Sequence, residues 1–178
     1  WTVSDDYTPE EIEAGYRKLR VLGVKLFTTN QSRFIAAPKI MPFARKYDIY
    51  ASWHPHDNLD DAREIATAQT LERLLSLSPE FRVNLDIGHF TAGNQDAVAF
   101  LEKHHDRITH LHIKDRKRNH GPNVALGTGD TPIAQCVRMI RDRKWPIIVQ
   151  LEREYQGEGT PVEQTRGQLD YLRKLLDT

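Results

Sequence analysis

Five times along the chain, a short run of β-branched and aromatic residues gives way to a longer stretch whose apolar positions recur every three or four residues. The short runs predict strands at Val24–Phe27, Ile49–His54, Val83–Ile87, Ile108–Ile113 and Ile147–Leu151. The longer stretches predict helices. Thr8-Pro-Glu-Glu11 is a capping box that opens a helix through about Leu22, with Ile12, Tyr16 and Leu19 on one face and Gly23 at its end. Pro38 opens a second helix through Lys46, which Pro42 bends or interrupts. Asp60 opens a third through about Leu77, with Ile65, Ala68, Leu71 and Leu75 inward and Ser78-Pro79 as the stop. Helices over Gln95–His104 and Pro132–Asp142 follow. A second capping box, Thr160-Pro-Val-Glu163, opens the last helix to about Leu176. Gln31–Ala37 reads as a loop or short helix and Lys117–Gly129 as a long polar loop.

Successive predicted strands start 25, 34, 25 and 39 residues apart. A β-strand, crossover helix and parallel β-strand need roughly 30 residues, so the rhythm is that of a parallel α/β sheet. One domain, 1–178, is the expectation for this length. Two closures are open: a doubly wound sheet, or part of a (β/α)8 barrel. A complete barrel takes about 250 residues, so this chain supplies five of eight units. VKLFTTNQS, after the first strand, has no glycine-rich phosphate loop, which weighs against dinucleotide binding.

Lys plus Arg and Asp plus Glu both number 25, giving zero net charge. That weighs against a nucleic-acid partner, which selects for basic surface. No apolar run is long enough to cross a membrane, and no leader or lipidation motif is visible. A cytoplasmic location is the expectation. The chain begins with Trp1, so the expectation is either a removed leader or a piece of a longer protein. Cys136, the single cysteine, lies in the helical pattern IAQCVRMI as a small core residue. Homo-oligomerisation is left open.

The chemistry gathers at strand C-termini: Trp-His-Pro-His56, Leu-Asp-Ile-Gly-His89, His-Leu-His-Ile-Lys-Asp115 and Leu-Glu-Arg-Glu154. In parallel α/β folds these ends share one crevice. In Thr109–Asp115, alternation puts His110, His112 and Lys114 on one face, and Leu111 and Ile113 on the other. Charges turned inward cost several kcal/mol unless paired or bound to a cation. The reading is therefore a divalent metal held by His54, Asp86, His112 and Glu152, with His110 one layer deeper. His54 and His56 flank Pro55, and one of the two rings suffices as ligand. Capping the next turn is the other role open to Asp86. Candidate substrate contacts are His56, His89, Lys114, Asp115 and Arg116; candidate acid/base groups are Glu152 and His54. A mixed His/Asp/Glu set suits Mn²⁺, Co²⁺, Zn²⁺ or Mg²⁺. Such a metal acidifies the proton beside a carbonyl, the chemistry of sugar isomerisation, epimerisation and keto-polyol dehydration.

LDIGHFTAGNQDAVAFLEKHHDRITHLHIKDR and GTGDTPIAQCVRMIRDRKWPIIVQLERE, with the motifs D-x-G-H, H-x-H-x-K-D and G-x-G-D, resemble the xylose isomerase-like TIM-barrel superfamily, and the resemblance covers about Gly23 to Glu154. The resemblance implies a C-terminal part of the barrel, strands four to eight. It implies Asp86 and His112 as metal ligands, His89 as a substrate contact and Glu152 as ligand and acid/base. Epimerases of the superfamily carry a glutamate where WHPHDN places His54, a departure that leaves an inosose dehydratase-like lyase open. The activity implied is a sugar or polyol isomerase or epimerase. The rival readings are an endonuclease IV-like DNA-repair nuclease and a non-catalytic sugar-binding relative.

Overall fold

The computed structural model describes residues 1–30, 33–61 and 63–177, packed as two compact units, Trp1–Asn84 and Leu85–Thr178. In the first unit, helix α1 (Pro9–Val21) starts at Thr8, whose hydroxyl accepts from Glu11 N at 3.2 Å while the Glu11 carboxylate accepts from Thr8 N at 2.8 Å. Ile12 and Tyr16 are its buried residues, and Tyr16 packs edge-on against Phe27 at 5.5 Å. Gly23 turns the chain with φ 71°, a conformation a Cβ resists.

Strands β1 (Leu26–Thr29), β2 (Tyr50–Trp53) and β3 (Phe81–Asp86) follow in parallel, with Leu26 opposite Tyr50 and Ala51 opposite Phe81. Helix α2 (Ala37–Tyr47) absorbs Pro42 without a break and closes on Asp48 at φ 51°. Helix α3 (Ala68–Leu77) buries Leu71, Leu74 and Leu75. Each fully buried aliphatic side chain contributes about 1.5–3 kcal/mol.

Two expectations for this unit need correction. The first strand begins at Leu26, two residues later than Val24. The third helix begins at Ala68, not Asp60, because Thr67 caps it, and Asp61 instead closes a turn on Arg63 N at 3.0 Å. Ile65 is still buried, delivered by irregular chain. Of the expected loop Gln31–Ala37, Gln31 and Ser32 lie outside the described residues.

In the second unit, Leu85 and Asp86 end β3 and lead directly into α4 (Ile87–Ala92), followed by α5 (Ala97–His104). Strand β4 (Ile108–Ile113) pairs in parallel with β7 (Ile148–Leu151), setting His112 opposite Gln150. Between them lie a small antiparallel hairpin, β5 (Asp115–Arg116) with β6 (Asn123–Val124), and helix α6 (Ile133–Arg143). Helix α7 (Pro161–Leu176) closes the unit from the expected capping box. Two expectations change here. Ile87 opens a helix rather than ending a strand, and the long polar loop contains β6, which pairs back on β5. Ile148 and Val149 on β7 are exposed. Among the described residues, no helix is long and apolar enough to cross a membrane.

Candidate metal centre

Asp86 ends β3 and caps α4, its Oδ1 accepting from His89 N at 2.8 Å. The capping role open to Asp86 is thus present, and its second oxygen, Oδ2, lies 3.1 Å from Lys114 Nζ. His112 comes from β4, on the face opposite the fully buried Leu111 and Ile113. Glu152 continues β7 by one residue, its N–H donating to Ile113 O at 2.9 Å. Donor atoms of Asp86, His112 and Glu152 all lie within 4.8 Å of one another. His112 Nδ1 stands 3.1 Å from Glu152 Oε2, and Nε2 stands 2.9 Å from Gln150 Oε1.

Lys114 crosses the same space. Its Nζ lies 2.7 Å from Glu154 Oε2, 3.1 Å from Asp86 Oδ2, 3.2 Å from Glu152 Oε2 and 2.9 Å from His89 Nε2. Gly88 makes room for it: a Cβ there would overlap Lys114 Cγ and fall 2.9 Å from the Lys114 carbonyl oxygen. Burial alone would lower the lysine, but Asp86, Glu154 and Glu152 more than offset it, and the net shift is upward.

Complete burial pushes the Asp86 carboxyl up, to about 7, against the opposing charge of Lys114. The hydrogen bond from His112 holds Glu152 well below the usual carboxylate range; partial burial opposes this and Lys114 adds to it. His112 itself is disfavoured as a cation by burial, yet Glu152 brings the net shift upward. The cluster therefore gathers carboxylate groups around one buried ammonium, Lys114, which balances part of their charge. Two carboxylates and an imidazole fit a divalent ion.

The other candidates are placed as follows. His89, on the first turn of α4, faces Lys114 through Nε2 and Arg116 Nη1 through Nδ1, the latter at 2.9 Å. Arg116 also donates to Gly121 O from Nε at 3.2 Å and Nη2 at 2.9 Å. Asp115, expected beside substrate, is buried, with both oxygens engaged by backbone. Oδ2 accepts from Gly127 N and Gly129 N, each at 2.8 Å, and Oδ1 from Thr131 N at 3.1 Å. In the first unit, His54 follows β2, is buried, donates its backbone N–H to Thr29 O at 3.0 Å and meets the His56 ring edge-on at 5.0 Å. His110 is half-buried with Nδ1 3.0 Å from its neighbour Thr109 Oγ1. Gln150 was missed as a site residue, although period-2 alternation puts it on the face of Glu152. Gly88 was missed as the space that admits Lys114.

A family model described as xylose isomerase-like TIM barrel matches residues 35–175. An inosose dehydratase of Lactiplantibacillus plantarum is 32% identical over 78 residues, covering 43% of this chain and 25% of that enzyme. The chain thus spans a quarter of the curated relative's length. Among solved structures, a xylose isomerase domain protein from Alicyclobacillus acidocaldarius superposes with TM-score 0.74 at 14% identity, over 98% of this chain and 75% of that one. The 3-keto-D-glucoside 4-epimerase of E. coli superposes with TM-score 0.70 at 16% identity, over 93% and 70%. At those identities the likeness is one of fold. With five parallel strands, each followed by helix, and a family match over most of its length, the chain belongs to the xylose isomerase-like TIM-barrel family and carries part of that barrel.

Proposed function

We propose that this chain carries the metal-binding and proton-transfer groups of a sugar or polyol isomerase or epimerase. The observation that carries the reading is the convergence of Asp86, His112 and Glu152 donor atoms within 4.8 Å. In this reading these three hold a divalent metal. When bound, the metal polarises a substrate carbonyl and acidifies the neighbouring C–H.

Glu152 is the proton acceptor. Its depressed pKa keeps it ionised at neutral pH, and any substrate group that draws His112 or Lys114 away raises its basicity. Lys114 balances the carboxylate charge, and His89 orients a substrate oxygen. A dehydratase is the second reading. It is favoured by the identity with inosose dehydratase, a match that spans 43% of this chain. Both readings start with the same proton abstraction and differ in whether a hydroxyl then leaves.

Titration with Mn²⁺ or Co²⁺, followed calorimetrically, tests the ligand set. Asp86→Ala and His112→Ala are expected to lose metal binding, whereas His104→Ala and His105→Ala retain it. His105 stacks on Trp145 at 4.2 Å, outside the cluster. Equal uptake by all four variants would overturn the assignment. A panel of keto-sugars and polyols in deuterated water then separates the reactions. Deuterium gained without loss of mass marks isomerisation or epimerisation, and a product lighter by one water marks dehydration. Glu152→Gln is expected to stop the exchange. No metal uptake and no exchange would leave a non-catalytic sugar-binding relative.

A further inference from the structure

A cavity of about 330 Å³ lies along the first turns of α7, built in part from Leu126 after β6, Tyr155 after β7, and Gln164, Gln168 and Tyr171 of the helix. Its size is at the lower end of small-molecule sites, which run from about 300 to 1,000 Å³. Gln168 is only 4% exposed, and among the described residues neither its Nε2 nor its Oε1 has a hydrogen-bond partner. An amide carries two N–H donors and a carbonyl acceptor, and leaving them buried and unpaired is unfavourable. Two half-buried tyrosine rings, Tyr155 and Tyr171, share the same walls.

Hydrogen bonds fix those walls. Gln164 Nε2 donates to Gly157 O at 2.7 Å and to Glu158 O at 3.1 Å. Arg153 Nη1 donates to Gln164 Oε1 at 2.8 Å and to Tyr155 O at 2.6 Å. On the other side, Tyr171 lies against Gly127, where a Cβ would fall 2.8 Å from Tyr171 Cε2, and Gly127 N donates to Asp115 Oδ2 at 2.8 Å. Both walls lead back to the candidate centre. Asp115 follows Lys114, and Tyr155 follows Glu154, whose Oε2 meets Lys114 Nζ at 2.7 Å. Tyr155 is three residues past Glu152, a span of at most about 11 Å.

We infer that this cavity is a subsite for a neutral, polyhydroxylated part of the substrate, whose hydroxyl groups pair with the Gln168 amide. A hydroxyl both donates and accepts, so two neighbouring hydroxyls satisfy the N–H and the C=O of one amide together. The tyrosine rings offer apolar faces to the C–H side of a sugar ring. Charge selects against an anionic occupant: Glu158 and Glu163 line the same space, and a phosphate or carboxylate there meets like charge. The substrate class narrows to a neutral glycoside or polyol rather than a sugar phosphate. The inference rests on the reading of the neighbouring cluster as the reacting site.

The side-chain NH₂ signals of Gln168 in ¹⁵N-labelled protein report the contact, and they are assigned by their loss in Gln168→Leu. Free monosaccharides, methyl glycosides, disaccharides and alditols are titrated in, each beside its phosphate ester where one exists. At least one neutral sugar is expected to shift these signals saturably and to bind more tightly than its phosphate ester. The same sugar is expected to bind about 10-fold more weakly to Gln168→Leu and to Tyr155→Ala. The inference is overturned if no neutral sugar moves the signals, or if the phosphate ester binds more tightly. Gln168→Leu is also expected to match or exceed the wild type in urea midpoint, because it removes the unpaired amide. A lower midpoint with unchanged sugar affinity would assign the amide to the fold alone and overturn the subsite. Should Gln168→Leu fail to fold, Gln168→Glu serves for the assignment and Tyr155→Ala carries the affinity test. Mn²⁺ titration of the same samples separates the two claims. Metal uptake with no response at Gln168 sinks only this inference, whereas a response at Gln168 with no uptake sinks only the metal reading.

Discussion

At the scale of single residues, Asp115 shows how a side chain read as a substrate contact can serve the loop beside the site. Its carboxylate collects three backbone N–H groups from Gly127, Gly129 and Thr131, tying the stretch after β6 to β5. Hydrogen bonds to a charged acceptor are worth about 1.5–3 kcal/mol each. Gly129 is the position that permits them, since a Cβ there would overlap the Asp115 carboxylate. Gly129→Ala is expected to destabilise the second unit by about 1–3 kcal/mol, seen as a lower urea midpoint. A midpoint equal to that of the wild type would refute the clamp. Cys136 gives a pH test. Burial pushes its thiol up to about 12, whereas an unfolded cysteine titrates near about 8.5. As pH rises, the unfolded chain loses the proton first. This group therefore favours the fold below about 8.5, and that contribution is lost between about 8.5 and 12. The same burial predicts slow iodoacetamide labelling of the native chain at pH 8 and fast labelling in urea, measured by mass spectrometry.

At the scale of elements, the Thr-Pro-x-Glu capping boxes made two helix starts legible. Thr8 and Thr160 open α1 and α7 where the capping-box pattern put them. Helix α3 was read too long because DDAREIA is rich in helix formers, and propensity is a weak prior against tertiary pairing. There Arg33 Nε reaches Glu64 Oε1 at 3.3 Å, and Phe34 N donates to Arg63 O at 3.1 Å, neither of which sequence order announces. Thr67 is the true start, its hydroxyl accepting from Thr70 N at 3.1 Å. Thr67→Ala is accordingly expected to cost about 1 kcal/mol, with an unchanged dependence on denaturant. Strand β4 was legible for another reason. Alternation alone puts Leu111 and Ile113 in the core and His112 opposite, as observed.

At the scale of the whole molecule, the proposed metal would link site to stability. An ion that binds the fold and not the unfolded chain adds about 2.7 kcal/mol at a free concentration of about 100 Kd. Mn²⁺ or Co²⁺ is expected to raise the melting temperature of the wild type and leave that of Asp86→Ala unmoved. Removing the metal with a chelator should return the wild type to its starting value. A chelator-insensitive melting temperature in the presence of metal would speak against a bound ion.

The sequence by itself determined the βα rhythm, the capped helix starts and the grouping of imidazoles and carboxylates at strand ends. All of these are local: periodicity, caps and alternation act over a few residues. Only the tertiary structure decided that Lys114 would thread past Gly88 into three carboxylates, that Asp115 would turn to the backbone, and that Arg116 and Lys114 would close on the two sides of one ring. Those outcomes depend on which charge meets which once the elements pack. Burial makes each such meeting worth several times what it is in water, and no spacing along the chain encodes it.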